Sequence, residues 1–308
     1  MHEQAHAQTH AQTAKKGWLD QSERGSLTAM KVLAWVTLRF GRSFGRLFLL
    51  PICFYFIVFS VESRRSSLAY LQRVLPRAPR WRDVLRHYHT FASTIHDRLY
   101  LLTGRHDYFD ITLHGYDDVA ELMRTRGCIL MGSHLGSFEV LRTLGMFKEG
   151  LKVNILMHGT HSNKMNQILH ALNPGMAPTV ISMGEPDTLV RVHECIERNE
   201  IVGMLVDRTF TSDKRVDCNF LGGRVTLPQG PMALATMLKA PVILFFGLYM
   251  GGNRYELHLE LFDPGTAVER NGRMTVVNER VQRYADRLAH YCRLAPYNWF
   301  NFYRYWNE

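Results

Sequence analysis

The residues best suited to chemistry lie in the stretch MGSHLGSFEVLR, residues 131–142, where His134 stands among Gly132, Ser133, Gly136 and Ser137 and Glu139 follows five places later. An imidazole with a carboxylate on one ring nitrogen has its tautomer fixed, and the other nitrogen is left to act as a base. If both residues sat in one regular helix, five steps would turn about 500° and leave them about 140° apart, out of contact. With His134 in a loop ahead of the helix, Glu139 on the first turns can reach back to it, and Gly136 permits the tight path this requires. Neither serine sits in G-x-S-x-G, so the hydrolase nucleophile elbow is absent. A base without a protein nucleophile would act on a substrate hydroxyl, which is direct acyl transfer to an alcohol. The competing structural reading is a buried histidine capping a strand end. Convergence of His134, His158 and His161 on a metal is the other rival. H-E-x-x-H is missing and no carboxylate is suitably spaced beside the pair, so no metal is expected.

These residues need a scaffold that presents them at an edge. CILMGS (128–133) reads as a buried strand, and 137–148 as the helix after it. Further strands are expected at 152–157, 179–182, 201–206, 241–249 and 254–262, with helices at 162–172, 185–198, 231–239 and 274–294. Such alternation predicts an α/β fold, a mixed sheet flanked by helices. Residues 66–104 read as helical apart from the LPRAPRW break at 75–81. His134 would then occupy the strand-to-helix corner where α/β folds expose reactive groups.

The composition is globular, with 46% apolar and 21% charged residues among 308. A net charge of +9 favours an acidic partner: nucleic acid, an anionic membrane surface or an acidic carrier protein. Nucleic acid is disfavoured, because no helix-turn-helix, zinc finger or RNA-binding signature is present. The five cysteines form no C-x-x-C pair, which argues against a disulfide framework or structural zinc and for a reducing, cytosol-facing setting.

Residues 1–24 read as a disordered tail, residues 25–65 as a membrane-associated helical segment and residues 66–308 as the α/β domain. His2, His6 and His10 fall four apart in the tail, a spacing that could bind metal, though a floppy tail is the simpler reading. LFLLPICFYFIVFSV (47–61) is uncharged, but as a helix it reaches only about 22 Å, short of a bilayer core of about 30 Å. Ahead of it Lys31, Arg39, Arg42 and Arg46 fall within an arc of about 80° on a continuous helix, and no acidic residue occurs between Glu23 and Glu62. A basic stripe beside apolar residues suits a membrane interface, as a monotopic anchor or a short tilted span. Pro51 is expected to kink or break this helix. An apolar core helix is the alternative.

HLGSFE after an apolar strand resembles the late acyltransferases of lipid A biosynthesis, within the lysophospholipid acyltransferase superfamily. GMLVDR (203–208), FLGGRVTLPQGPMALATMLKAPVI (220–243) and the aromatic PYNWFNFYRYW (296–306) are similar to further blocks of that family, and the likeness extends over roughly residues 25–306. The resemblance implies a glycerolipid acyltransferase-like α/β domain on the cytoplasmic face of the bacterial inner membrane. It implies an acyl thioester donor, commonly acyl carrier protein, a lipid or glycolipid acceptor and no cofactor. By that match His134 is the general base and Glu139 its orienting partner. Asp207 and Arg208 hold the site or a phosphate-bearing substrate, and Arg208 is a candidate to steady the oxyanion. On spacing alone these two could equally form a strand-end salt bridge. Gly230 and Pro231 open a helix whose N–H groups could face an anion, or simply mark a turn. Polar HGTHSNKMN (158–166), with Asn163, is a candidate headgroup site. Residues 144–190 contain no arginine, where family members often carry one, so the acceptor stays open between a lipid A precursor and another glycolipid. A non-catalytic lipid- or carrier-binding protein and a thioester hydrolase are the alternative functions.

Overall fold

The computed structural model describes residues 27–141, 150–158, 179–209 and 214–306. Four helices lead into a long fifth: α1 (Leu27–Phe40), α2 (Arg42–Leu47), α3 (Leu49–Phe59), α4 (Val61–Val74) and α5 (Trp81–Leu102). Then follow β1 (Asp110–His114), α6 (Asp117–Thr125), β2 (Cys128–Gly132), β3 (Val153–His158), β4 (Thr179–Met183), α7 (Thr188–Glu197) and β5 (Ile201–Leu205). The chain closes with β6 (Arg215–Phe220), β7 (Gly223–Pro228), α8 (Gly230–Leu238), β8 (Val242–Gly251), β9 (Arg254–Asp263) and α9 (Arg273–Leu294).

Seven strands form one sheet in the order β1-β9-β8-β2-β5-β3-β4. Strands β8, β2, β5, β3 and β4 run parallel, β9 returns antiparallel to β8, and β1 lies parallel to β9. This is the expected mixed sheet. β2 lies between β8 and β5 and is buried at every position, as its unbroken apolar run requires of a strand covered on both faces. β1, α6 and the β6–β7 hairpin were not foreseen. The hairpin turns on Leu221 and Gly222, both at positive φ (47° and 74°), the geometry of a two-residue primed turn that matches strand twist. The helix expected from 185 begins at Thr188, and Pro186 lies in the turn before it. The helix expected at 162–172 lies outside the described residues.

The amino-terminal segment departs from the single striped helix. Gly41 (φ 95°) ends α1, so Arg39 and Arg42 no longer share a helix face. Arg42 turns inward and grips Asp97 of α5 with two 2.8 Å hydrogen bonds, while Arg46 lies 3.7 Å from the same carboxylate. Asp97 is fully buried and also accepts a 2.9 Å bond from the Tyr255 hydroxyl. A buried carboxylate draws in cations because leaving it unpaired is costly. What the segment exposes instead is apolar: Trp35, Phe40, Phe44, Leu47, Phe54, Tyr55 and Phe59, the first and last at 62% and 63%. The run Arg42–Phe59 is long and apolar enough to cross a membrane by length and composition. As expected, the helix is interrupted just ahead of Pro51, which falls in the first turn of α3, where no intrahelical N–H is needed. The interruption is a single turn residue, Phe48, with near-helical dihedrals (φ −80°, ψ −13°).

Candidate active site

The register of two neighbouring strands builds the site. β2 and β5 are adjacent and parallel, with Gly132 level with Leu205. Two residues beyond that level on each chain segment stand His134 and Asp207, so both emerge at the carboxyl edge of the sheet, where open α/β sheets present their sites. His134 Nδ1 lies 2.8 Å from Asp207 Oδ1, and the His134 backbone N–H donates to Oδ2 at 3.1 Å. The Trp299 indole N–H donates to the same Oδ2 at 3.1 Å. With Nδ1 occupied, Nε2 has no hydrogen-bond partner among the described residues.

Burial, at 2% exposure, pushes the Asp207 carboxyl up, but the charge of His134, its hydrogen bonds and the charge of Arg208 together hold it at about 2. Asp207 is therefore an anion throughout the working range. The His134 side chain is 31% exposed. Its pKa lies below the usual 6.5 because burial and then the Arg208 guanidinium disfavour the imidazolium by more than Asp207 restores. His134 is neutral at pH 7, and an ionised acceptor at Nδ1 holds the proton there and leaves Nε2 as the basic nitrogen.

The aromatic carboxyl-terminal strap supports this pair. Phe300 N–H donates to the His134 carbonyl at 2.8 Å, and Gly136 N–H to the Asn298 carbonyl at 2.8 Å. The Tyr305 hydroxyl donates to the Asp207 carbonyl at 2.8 Å. Arg208 reaches the Phe300 carbonyl at 3.3 Å and lies over the Tyr303 ring. The strap is in turn held from below, since His87 of α5 lies 2.8 Å from both the Ser67 hydroxyl of α4 and the Trp299 carbonyl. His87 is fully buried, and its burial pushes its pKa down to about 4. Between pH 6.5 and 4 the unfolded chain binds a proton at this position that the folded chain refuses. Stability therefore falls with pH across that window, by roughly 3 kcal/mol from this group. Urea melts from pH 7 to 4 should show that loss, and His87→Gln should flatten it; an unchanged slope would refute the assignment.

Spacing along the chain set Glu139 beside His134. As expected, His134 sits in a loop and the helix begins at 138. Yet the carboxylate on Nδ1 is that of Asp207, and Glu139, buried at 6%, ion-pairs with Arg98 of α5. The backbone explains the difference. Gly136 (φ 73°) brings the loop so close to β8 that a Cβ there would lie 1.9 Å from the Gly247 carbonyl oxygen, and Ser137 N–H bonds that oxygen at 2.7 Å. The helix start is thus pinned over β8, within reach of α5.

Asp207 binds His134 directly, and the charge of Arg208 acts on both groups while its guanidinium reaches the Phe300 carbonyl. Pro231 lines a crevice with Val206, Leu227 and Tyr284, one residue from Asp207, while Gly230 stands exposed in the first turn of α8. Asn163 and His161 lie outside the described residues, as does the His158 side chain. Sequence reasoning missed Arg98, His87, Trp299 and Tyr305 as supports. The dense aromatic run at 296–306 was the one signal for the last two.

Residues 26–308 match the family model described as bacterial lipid A biosynthesis acyltransferase. No curated protein matches the chain.

Proposed function

The chain belongs to the bacterial lipid A biosynthesis acyltransferase family, and on that premise we propose that it moves an acyl chain from an acyl carrier protein thioester to a hydroxyl of a lipid A precursor or another glycolipid. The observation that carries the reading is a neutral His134 whose Nδ1 is bound to ionised Asp207 while Nε2 stays open. In this reading Nε2 takes the proton of the acceptor hydroxyl as its oxygen attacks the thioester carbonyl. Asp207 stabilises the imidazolium that forms. The tetrahedral intermediate collapses with loss of the carrier thiolate, which takes the proton back from His134. Arg208 steadies the oxyanion or a substrate phosphate. The first turn of α8, which Gly230 and Pro231 open, offers an anion the N–H groups of its residues other than Pro231. Glu139 acts at one remove, by pairing with Arg98 to fix the helix that follows the His134 loop. Asn163 remains the candidate headgroup contact.

The exposed aromatic ridge of α1–α3 suits insertion at the cytoplasmic face of the inner membrane, since so large an apolar surface marks an interaction site. The net charge of +9 suits both an anionic leaflet and an acidic carrier.

Mass spectrometry of reactions with acyl carrier protein thioester, candidate lipid acceptors and membranes bearing the protein tests the proposal. A lipid heavier by one acyl chain supports it. Free fatty acid alone would make the protein a hydrolase, and thioester binding without product would make it a binding protein. A base active when deprotonated also fixes the pH profile: kcat/KM should fall below an acid limb whose midpoint lies under pH 6.5, with unit slope. A limb centred above pH 7 would contradict His134 as that base.

A further inference from the structure

Away from the His134 edge, β1 and β9 bring together residues far apart in sequence. Their parallel register sets His114 level with His258 and Thr112 level with Glu256. Alternation along β9 puts Glu256 and His258 on the face that His114 shares. His114 Nε2 lies 3.6 Å and His258 Nε2 3.3 Å from the same oxygen, Glu256 Oε2. The two imidazoles stack at 4.4 Å with 11° between their planes. One ligand atom from each of the three residues falls within 4.8 Å of the others. A tetrahedral cation with bonds of about 2.0–2.1 Å spaces its ligands about 3.3 Å apart, which is close to both measured distances. The neighbouring carboxylate, Glu260, is already taken by Arg287 Nε at 2.8 Å and by the Tyr291 hydroxyl. Glu256 is thereby the carboxylate left to the histidine pair.

We infer that His114, Glu256 and His258 form a binding site for a divalent zinc-type cation, with solvent completing the shell. Two imidazoles and one carboxylate suit Zn2+ and leave a coordination position open. The His114 side chain is 46% exposed and that of His258 15%, so the site has an entry path and a packed wall. β1 is the edge strand and is exposed at four of its five positions. A metal joining His114 to His258 would fasten it to the sheet, where apolar burial contributes little.

Zinc titration of the full-length protein, made without an affinity tag, tests this by calorimetry. His2, His6 and His10 could bind zinc on their own, so they are replaced by alanine in the reference protein. One equivalent of Zn2+ should still bind, with a melting temperature raised by a few degrees at saturating metal, on the order of 2–5 °C. His114→Ala and Glu256→Gln in that background should each weaken binding about 100-fold and remove the thermal shift. His114 lies at an exposed strand end, so its variant should fold with an unchanged metal-free melting temperature. Loss of all zinc binding with the tail histidines, or affinity unchanged in His114→Ala, would overturn the inference. Acyl transfer is not needed for the readout.

Discussion

His134→Ala should lower the rate of acyl transfer by about 10³-fold or more, the scale expected when a general base is lost, while the fold persists. The ring is partly exposed and, among the described residues, makes one side-chain hydrogen bond, to Asp207, so the cost to folding is small. The backbone bonds around it, Phe300 N–H to its carbonyl and its own N–H to Asp207, do not depend on the imidazole. The measurement is product formation against melting temperature for wild type and variant. His134→Gln, which keeps a hydrogen-bonding side chain there but offers no base, should be as inactive as alanine. Residual activity within tenfold of wild type in either variant would end the case for His134 as base.

Asp207→Asn comes next, with an expected loss of about 10²–10⁴-fold. The neutral amide no longer stabilises an imidazolium. Its NH2 group takes the place either of Oδ1, which meets His134 Nδ1, or of Oδ2, which accepts from the His134 and Trp299 N–H groups, so it faces at least one donor. The pH profile separates an electronic role from a structural one. Asp207 raises the His134 pKa and Arg208 lowers it. The acid limb should therefore move to lower pH in Asp207→Asn and to higher pH in Arg208→Gln. Glu139→Gln should behave differently. It breaks an ion pair between a buried carboxylate and a partly exposed guanidinium. The expected cost is about 1–3 kcal/mol of stability, with the acid limb unmoved. If Glu139→Gln shifts the limb and Asp207→Asn does not, the two carboxylates must exchange roles.

Local chemistry makes much of this protein legible in its sequence. Apolar runs such as 128–133 and 241–249 can be satisfied only by burial, so they announce strands, and a histidine directly after such a run has to emerge at a strand end. Gly136 is readable as the residue that permits the tight path. The aromatic run at 296–306 and the Asp-Arg pair at 207–208 are readable as important, but not as parts of one assembly. Strand adjacency is a long-range choice with no trace in local periodicity, and only the pairing of β2 with β5 brings Asp207 to His134. Spacing along the chain favours Glu139; the contact of Gly136 with Gly247 turns that carboxylate toward Arg98 instead. Likewise the basic residues before the apolar segment form a stripe only on a continuous helix. The break at Gly41 and a buried Asp97 reassign Arg42 to the interior. Sequence by itself singled out His134 as the candidate base and determined which strands must be buried, because those follow from side-chain type and local period. Tertiary structure alone decided which carboxylate meets which cation or imidazole, because a buried charge pairs with whatever the fold brings within a few ångströms.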